Sequence, residues 1–352
     1  MQSLQRTNKP IAVWLLIGVA MIIFQILIGG ITRLTESGLS ITEWKPLTGV
    51  LPPLNNSQWQ IEFDKYKGTD QFKLIHADFA LSDFKFIFFW EWFHRLWARL
   101  LGVVFIIGFV YFLATKRFKR EMISPLIILF LLGAMQGIVG WIMVKSGLVP
   151  EKLFVGHIEL TTHFIAALIL LCYTFWFALT LLVPKEKLLF NKNIRQLTIS
   201  ILAVLVVQFV YGAFMSGLKA ATAAPTWPDI NGAMLPPAVN ALTPWLKNLT
   251  DNKIAVQFIH RTIAYLLTFM VFIWWLKSFK IKEHIFFNKT RWLPISCIVL
   301  QVILGILAVV TSPYDNNLIW FGIAHQFNGI IFLMIMIWFL FLVRSKKSNV
   351  HL

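Results

Sequence analysis

The apolar positions of this chain run together in blocks of about 20, the length that crosses the hydrocarbon core of a bilayer. Eight such blocks occur, at approximately 11–32, 88–114, 122–144, 157–183, 195–218, 254–276, 292–311 and 318–343. They predict eight transmembrane helices. The first block is too long for a signal-peptide core and lacks a small-residue cleavage pattern, so it is expected to be a retained helix.

The polar stretches between the blocks alternate in charge. Lys116, Arg117, Lys119 and Arg120 follow the second span, and Lys185, Lys187, Lys192 and Arg195 follow the fourth. Lys277, Lys280, Lys282, Lys289 and Arg291 follow the sixth, and Arg344, Lys346 and Lys347 end the chain. With Arg6 and Lys9, these place both termini and the short basic loops in the cytoplasm by the positive-inside rule. The long connections at 33–87 and 219–253 then face outward.

The two halves of the chain repeat each other. Spans one, three, five and seven each carry Gln followed four residues later by Gly: Gln25/Gly29, Gln136/Gly140, Gln208/Gly212 and Gln301/Gly305. One turn apart, the amide and the missing side chain share a helix face. Helix packing is the first role expected of this pattern, and close approach to a flat ligand the second. The outer loops repeat as well. Trp44-Lys45-Pro46 leads through Gly49 to Leu51-Pro52-Pro53, and Trp227-Pro228 leads through Gly232 to Leu235-Pro236-Pro237; the recurrence suggests a structured lid. Four spans per half is an even number, so the repeats keep one orientation in the membrane. The expected fold is an all-α polytopic membrane protein of two pseudo-symmetric four-helix bundles, residues 1–183 and 184–352.

Composition agrees. Hydrophobic residues make up 58% of the 352 and charged residues 14%, too apolar for one soluble core. The formal charge of +16 could suggest nucleic acid, but its placement in short loops between spans reads as topology. The two cysteines, Cys172 and Cys297, both fall inside spans and offer no disulfide framework.

Chemistry enters with the histidines, eight in number. His76, His284 and His351 fall in loops or the tail and are expected to be solvated; His157 marks the membrane surface. His94, His163, His260 and His325 each lie roughly two turns inside the outer end of spans two, four, six and eight. Any one of them could be a hydrogen-bonded core histidine. Four at matching depth in alternate helices of a repeat point instead to ligands. Facing helices of a bundle can supply side chains to a core cofactor, and neutral imidazole is an axial ligand of haem iron. His94 with His163, and His260 with His325, can thus each clamp one haem. Zinc fits less well, because each half offers only two histidines and no cysteine accompanies them. Arg95 and Arg261 directly follow a histidine. They are expected either to pair with haem propionates or to bond neighbouring amides.

The stretch Phe88-Phe89-Trp90-Glu91-Trp92-Phe93-His94-Arg95 also places a carboxylate on the face of His94. Its counterpart is Gln257-Phe258-Ile259-His260-Arg261, where an amide replaces the acid. Glu91 is either a structural acid paired with Arg95 or bonded to a loop, or a catalytic group. An acid kept beside only one ligand pair suits proton transfer or stabilisation of a cationic intermediate, with the first half doing the chemistry.

These residues, with Thr32-Arg33-Leu34-Thr35-Glu36-Ser37-Gly38-Leu39-Ser40 and Trp44-Lys45-Pro46-Leu47-Thr48-Gly49-Val50-Leu51-Pro52-Pro53, resemble the haem A synthase family of cytochrome oxidase assembly. The likeness covers nearly the whole chain. It implies an oxidoreductase of the bacterial plasma (inner) membrane that converts the C8 methyl group of haem O to the formyl group of haem A. The reaction proceeds by successive hydroxylation, with water the proposed oxygen source. It further implies that His94 and His163 hold the substrate haem with Glu91 assisting, and that His260 and His325 hold a haem b. The implied partners are a haem O synthase as donor, cytochrome c oxidase assembly, an electron acceptor, and a second copy of the chain. Two features depart from relatives: no cysteine lies outside the spans, and Lys219-Ala220-Ala221-Thr222-Ala223-Ala224-Pro225-Thr226 precedes the second Trp-Pro.

Two other classes compete. A non-enzymatic dihaem b-type carrier exchanging electrons with quinone would use the four histidines equally well, but it leaves Glu91 unexplained. A transporter built from parallel repeats calls for a central polar path, whereas the polar residues gather near the histidines.

Overall fold

The computed structural model describes residues 2–43, 48–150, 152–282 and 284–344, with the side chains of 2–7, 48, 315 and 316 excepted. The Trp44-Lys45-Pro46 segment, the Arg6 side chain, Lys346, Lys347 and His351 lie outside the described residues. The elements in chain order are α1 (Gln2–Leu34), α2 (Asn56–Lys67), α3 (Asp70–Ile75), α4 (Leu81–Ala114), α5 (Arg120–Gly147), α6 (His157–Leu182), β1 (Leu189–Phe190), α7 (Lys192–Gly217), α8 (Lys253–Ser278), α9 (Ile285–Thr290), α10 (Leu293–Val310), α11 (Asp315–Leu342) and β2 (Val343–Arg344). Among the described residues eight helices, one for each apolar block, are long and apolar enough to cross a bilayer. The chain is an all-α, multi-pass integral membrane protein.

One difference from expectation is the start of α4, at Leu81 rather than near 88. The Asp83 carboxylate accepts the Ala80 N–H at 2.9 Å and satisfies one orphan donor of the first turn. Phe84, Ile87 and Phe88 then bury themselves against Phe63 and Tyr66 of α2. Hydropathy alone does not register this overhang, because it is stabilised by a partner outside the apolar block. The short helices α2 and α3 were also not foreseen; they are capped by Asn55, which accepts from Gln58 N–H, and Thr69, which accepts from Phe72 N–H.

The chain divides into two compact units, residues 18–171 and residues 1–17 with 172–352. In the 18–171 unit, α2 and α3 form a cap on α4. Tyr66 donates to Gln71 Oε1 at 3.0 Å and lies 2.6 Å from His76 Nδ1, while Gln71 Nε2 donates to the Glu36 carbonyl at 3.3 Å. His76, expected in solvent, is instead only 6% exposed and stacks on Phe79 with ring centres 3.9 Å apart. Burial holds the Tyr66 phenol above its ordinary pKa, and the charges of Glu36 and Glu91 act in the same direction.

In the other unit α7 packs on α8 and α10 on α11, with α8 also touching α10 and α7 touching α11. Trp274, Phe287 and Phe339 are fully buried together, and the Trp274 indole donates to Thr198 Oγ1 at 2.9 Å. A parallel pairing of Leu189 with Val343 and Phe190 with Arg344, unforeseen in the sequence, ties the α6–α7 connection to the end of α11. Arg195 fastens the same corner through the carbonyls of Leu340 and Val343, at 3.1 and 2.7 Å.

Candidate functional site

His94, His163, His260 and His325 are each met by one Gln and one Gly from a neighbouring helix. In the 18–171 unit, Gln25 of α1 donates to the His94 carbonyl of α4 at 3.1 Å. A Cβ on Gly29 would stand 3.2 Å from His94 Nε2. On the other helix pair, Gln136 of α5 donates to the His163 carbonyl of α6 at 3.1 Å and lies 3.2 Å from its Nδ1. A Cβ on Gly140 would come within 2.8 Å of His163 Cε1.

The second unit repeats the device. Gln208 of α7 lies 3.3 Å from His260 Nε2, and a Cβ on Gly212 would stand 3.3 Å from its Cε1. Gln301 of α10 donates to the His325 carbonyl at 3.0 Å and lies 3.1 Å from its Nε2, while His325 Nδ1 sits 3.1 Å from the Gln301 carbonyl. A Cβ on Gly305 would meet His325 Cε1 at 2.9 Å. Asn328 steadies the Gln301 amide by donating to its Oε1 at 2.7 Å. The Gln-x-x-x-Gly repeats are therefore seats for imidazoles. Of the two roles the sequence offers these repeats, packing is the one seen, with an imidazole of the neighbouring helix as the packed group. The available signal was the alternation: four Gln/Gly pairs on odd spans and four histidines on even ones.

The imidazoles of His260 and His325 face each other with ring centres 6.4 Å apart and planes inclined at 63°. A metal bonded to one nitrogen of each ring at about 2 Å brings the two ring centres to roughly 6 Å. The separation thus fits two axial imidazoles of one haem iron. In the other unit His163 lies within electrostatic reach of His94. Among the described residues no group of three or more His, Cys, Asp or Glu side chains assembles that could hold a metal ion.

One turn before the histidines, the acid and its amide counterpart fasten the long loops. Glu91, 3% exposed, accepts from Ser40 Oγ at 2.7 Å and from the Ile41 N–H at 2.8 Å. Its other oxygen pairs with Arg95, which also donates to the carbonyls of Ile41 and Glu43 at 3.2 and 3.3 Å. Gln257, fully buried, donates to the Ala224 carbonyl at 2.9 Å. Arg261 donates to the carbonyls of Asp229 and Thr226 at 2.8 and 2.7 Å. Both arginines thus donate to loop carbonyls, the second of the two roles open to them. In the second loop the Gly232 N–H donates to Asp229 at 2.8 Å. That bond, then the Thr226 hydroxyl and the charge of Arg261, hold the Asp229 carboxyl below its ordinary pKa.

Residues 12–337 match a family model described as cytochrome oxidase assembly protein. A haem A synthase of Flavobacterium psychrophilum is 39% identical over 93% of this chain and 96% of the relative. One from Nitrosospira multiformis is 43% identical over 77% of each, and one from Flavobacterium johnsoniae is 38% identical over 95% of this chain and 97% of the relative.

Proposed function

The chain belongs to the cytochrome oxidase assembly protein family, and from that membership we propose that it is a haem A synthase, oxidising the C8 methyl group of haem O to a formyl group. The observation that supports the reading best is the set of four seated imidazoles in a chain similar along nearly all its length to haem A synthases.

His94 and His163 would hold the substrate haem in the 18–171 unit, and His260 with His325 would hold a resident haem b. When bound there, haem b would supply a one-electron relay from the substrate to the external acceptor. Everything else falls to side chains and their placement. Each of two hydroxylations at the methyl carbon takes its oxygen from water and releases two protons and an electron pair, which must pass to an external electron acceptor. The resulting hydrated aldehyde loses water to give the formyl group. Glu91 is the group placed to take protons, since it lies three residues before His94 and on the same face of α4. Its carboxylate is already aimed by Ser40, the Ile41 N–H and Arg95, so it needs no reorganisation to act. Gln257 cannot exchange a proton in this way, which assigns the chemistry to the first ligand pair. Arg95 and Arg261 are the cations nearest the two haem sites along their helices and serve the propionates from the loop side.

The site faces outward from a bacterial inner membrane, with both termini in the cytoplasm, as the basic loops indicate. A haem O synthase is the donor, and the product passes to cytochrome oxidase assembly. Coexpression with a haem O source in cells lacking haem A, followed by chromatography of extracted haems, tests the reading. Haem A in the extract supports it; haem B and haem O alone overturn it.

A further inference from the structure

We propose that Arg195 and Arg344 form a binding site for the phosphate headgroup of an anionic phospholipid. The inference does not depend on the reaction proposed above. Arg195 lies 13 residues before Gln208 on α7, about 20 Å along the helix axis, so the site is separate from the histidine seats.

Three spans and one connection meet at this corner. Arg195, near the start of α7, uses a single nitrogen, Nη1, for its bonds to the Leu340 and Val343 carbonyls of the α11 end. Arg344 is fixed through its backbone, by pairing with Phe190 and by accepting the Asn191 N–H at 3.0 Å. Its guanidinium carbon lies 5.5 Å from the ring centre of Trp176 on α6 and 5.0 Å from that of Phe341 on α11. Among the described residues neither arginine has an acidic partner. Burial, and then the charge of Arg195, hold the Arg344 guanidinium below its ordinary pKa. Two fixed cations thus repel each other at a partly buried place, where a shared anion would relieve both.

The internal repeat shows that this pair is not part of the common scaffold. In the register that matches Gln25 with Gln208 and His163 with His325, the places of Arg195 and Arg344 are taken in the first half by Ala12 and Leu182. The surroundings suit a lipid. Phe190, paired with Arg344, is exposed, and so is Phe286, over whose ring Lys187 sits at 4.8 Å. In sequence, residues 185–195 carry four Lys or Arg against Glu186, and residues 277–291 carry five against Glu283. By the positive-inside rule these connections face the cytoplasmic leaflet, whose anionic lipids attract such clusters. Guanidinium forks match phosphate oxygens two at a time, and rings such as Trp176 belong at headgroup level.

The test uses the full chain, purified in detergent and washed free of lipid, with native mass spectra recorded as phosphatidylglycerol, phosphatidylcholine or inorganic phosphate is added. The wild type is expected to retain one phosphatidylglycerol at concentrations at least about tenfold below those needed for phosphatidylcholine. Arg344→Gln is expected to lose that preference. Lys185→Gln, which removes an exposed charge from the same corner, is expected to keep it. Equal binding of the two lipids by the wild type, or an undiminished preference in Arg344→Gln, overturns the proposal. Loss of the preference in both variants would assign it to diffuse charge and overturn the site. If inorganic phosphate displaces phosphatidylglycerol at equal concentration, the ligand is a free phosphate and the lipid assignment falls. Thermal unfolding without lipid reports folding. Should Arg344→Gln fail to fold, Arg344→Lys takes its place, keeping the charge without the planar fork, and full retention of the preference there overturns the site.

Discussion

Glu91 and Gln257 perform the same mechanical task with opposite hydrogen-bond polarity. The carboxylate of Glu91 accepts the Ile41 N–H, whereas the amide of Gln257 donates to the Ala224 carbonyl. Ser40, the Ile41 N–H and Arg95 all donate to Glu91, so an amide placed there would present its NH2 group to a neighbour that also donates. Glu91→Gln is expected to retain haem but to abolish the formyl product, as read by chromatography of extracted haems. Ser40→Ala leaves the charge in place and removes one donor, costing about 1 kcal/mol of loop anchoring while haem A is still made. Unchanged haem A output from Glu91→Gln would confine Glu91 to anchoring.

The glycine seats supply their own control. Gly140→Ala would drive a methyl group to within 2.8 Å of His163 Cε1, and Gly305→Ala to within 2.9 Å of His325 Cε1. Each is expected to displace its imidazole and to lower haem content in one site. Gly137→Ala, on the same helix as Gly140 with nothing within 4 Å, should leave haem content alone and favour the helix by about 0.5–1 kcal/mol. Equal haem loss in Gly137→Ala and Gly140→Ala would show that helix packing alone is at stake.

His260→Ala is expected to remove the resident haem and with it half of the absorbance of a fully loaded protein, while the substrate haem stays bound. Haem quantification by extraction checks this. If the substrate haem remains but is not oxidised, the relay role is supported.

Arg261 bridges two carbonyls with one planar guanidinium, which an ammonium at the same place cannot do. Arg261→Lys should therefore loosen the 219–252 connection, seen as faster limited proteolysis there and not in the first long loop. An unchanged cleavage pattern would mean that the loop is held by its own turns.

The buried phenol of Tyr66 gives the cap a pH dependence. Its folded pKa lies above the unfolded value of about 10, so the neutral form stabilises the folded cap below that pH. The contribution declines as pH rises above about 10 and the unfolded chain ionises first. Proteolysis of the cap should accelerate over that range in the native protein, with a flatter profile in Tyr66→Phe.

The eight spans were legible because an apolar block of the right length has few alternative fates in a membrane protein. The four histidines stood out because imidazole is rare at that depth. What lay outside the reach of pattern was tertiary. The overhang of α4 depends on Phe63 and Tyr66, which belong to a polar helix that no hydropathy count would select. The burial of His76 depends on Tyr66 and Phe79 closing around it. The Gln-to-His pairing was written in the order of the spans, but reading it required knowing which odd helix meets which even one.

Because α4 runs unbroken from Leu81 to Ala114, the aromatic residues that grip the cap and the two residues proposed to act on the substrate lie on a single stiff shaft. A shaft without a hinge carries torque from end to end. A protein or lipid that tilts the cap must rotate Glu91 and His94 together, and a spin label on Phe84 would register the same angular swing as one placed beside the haem.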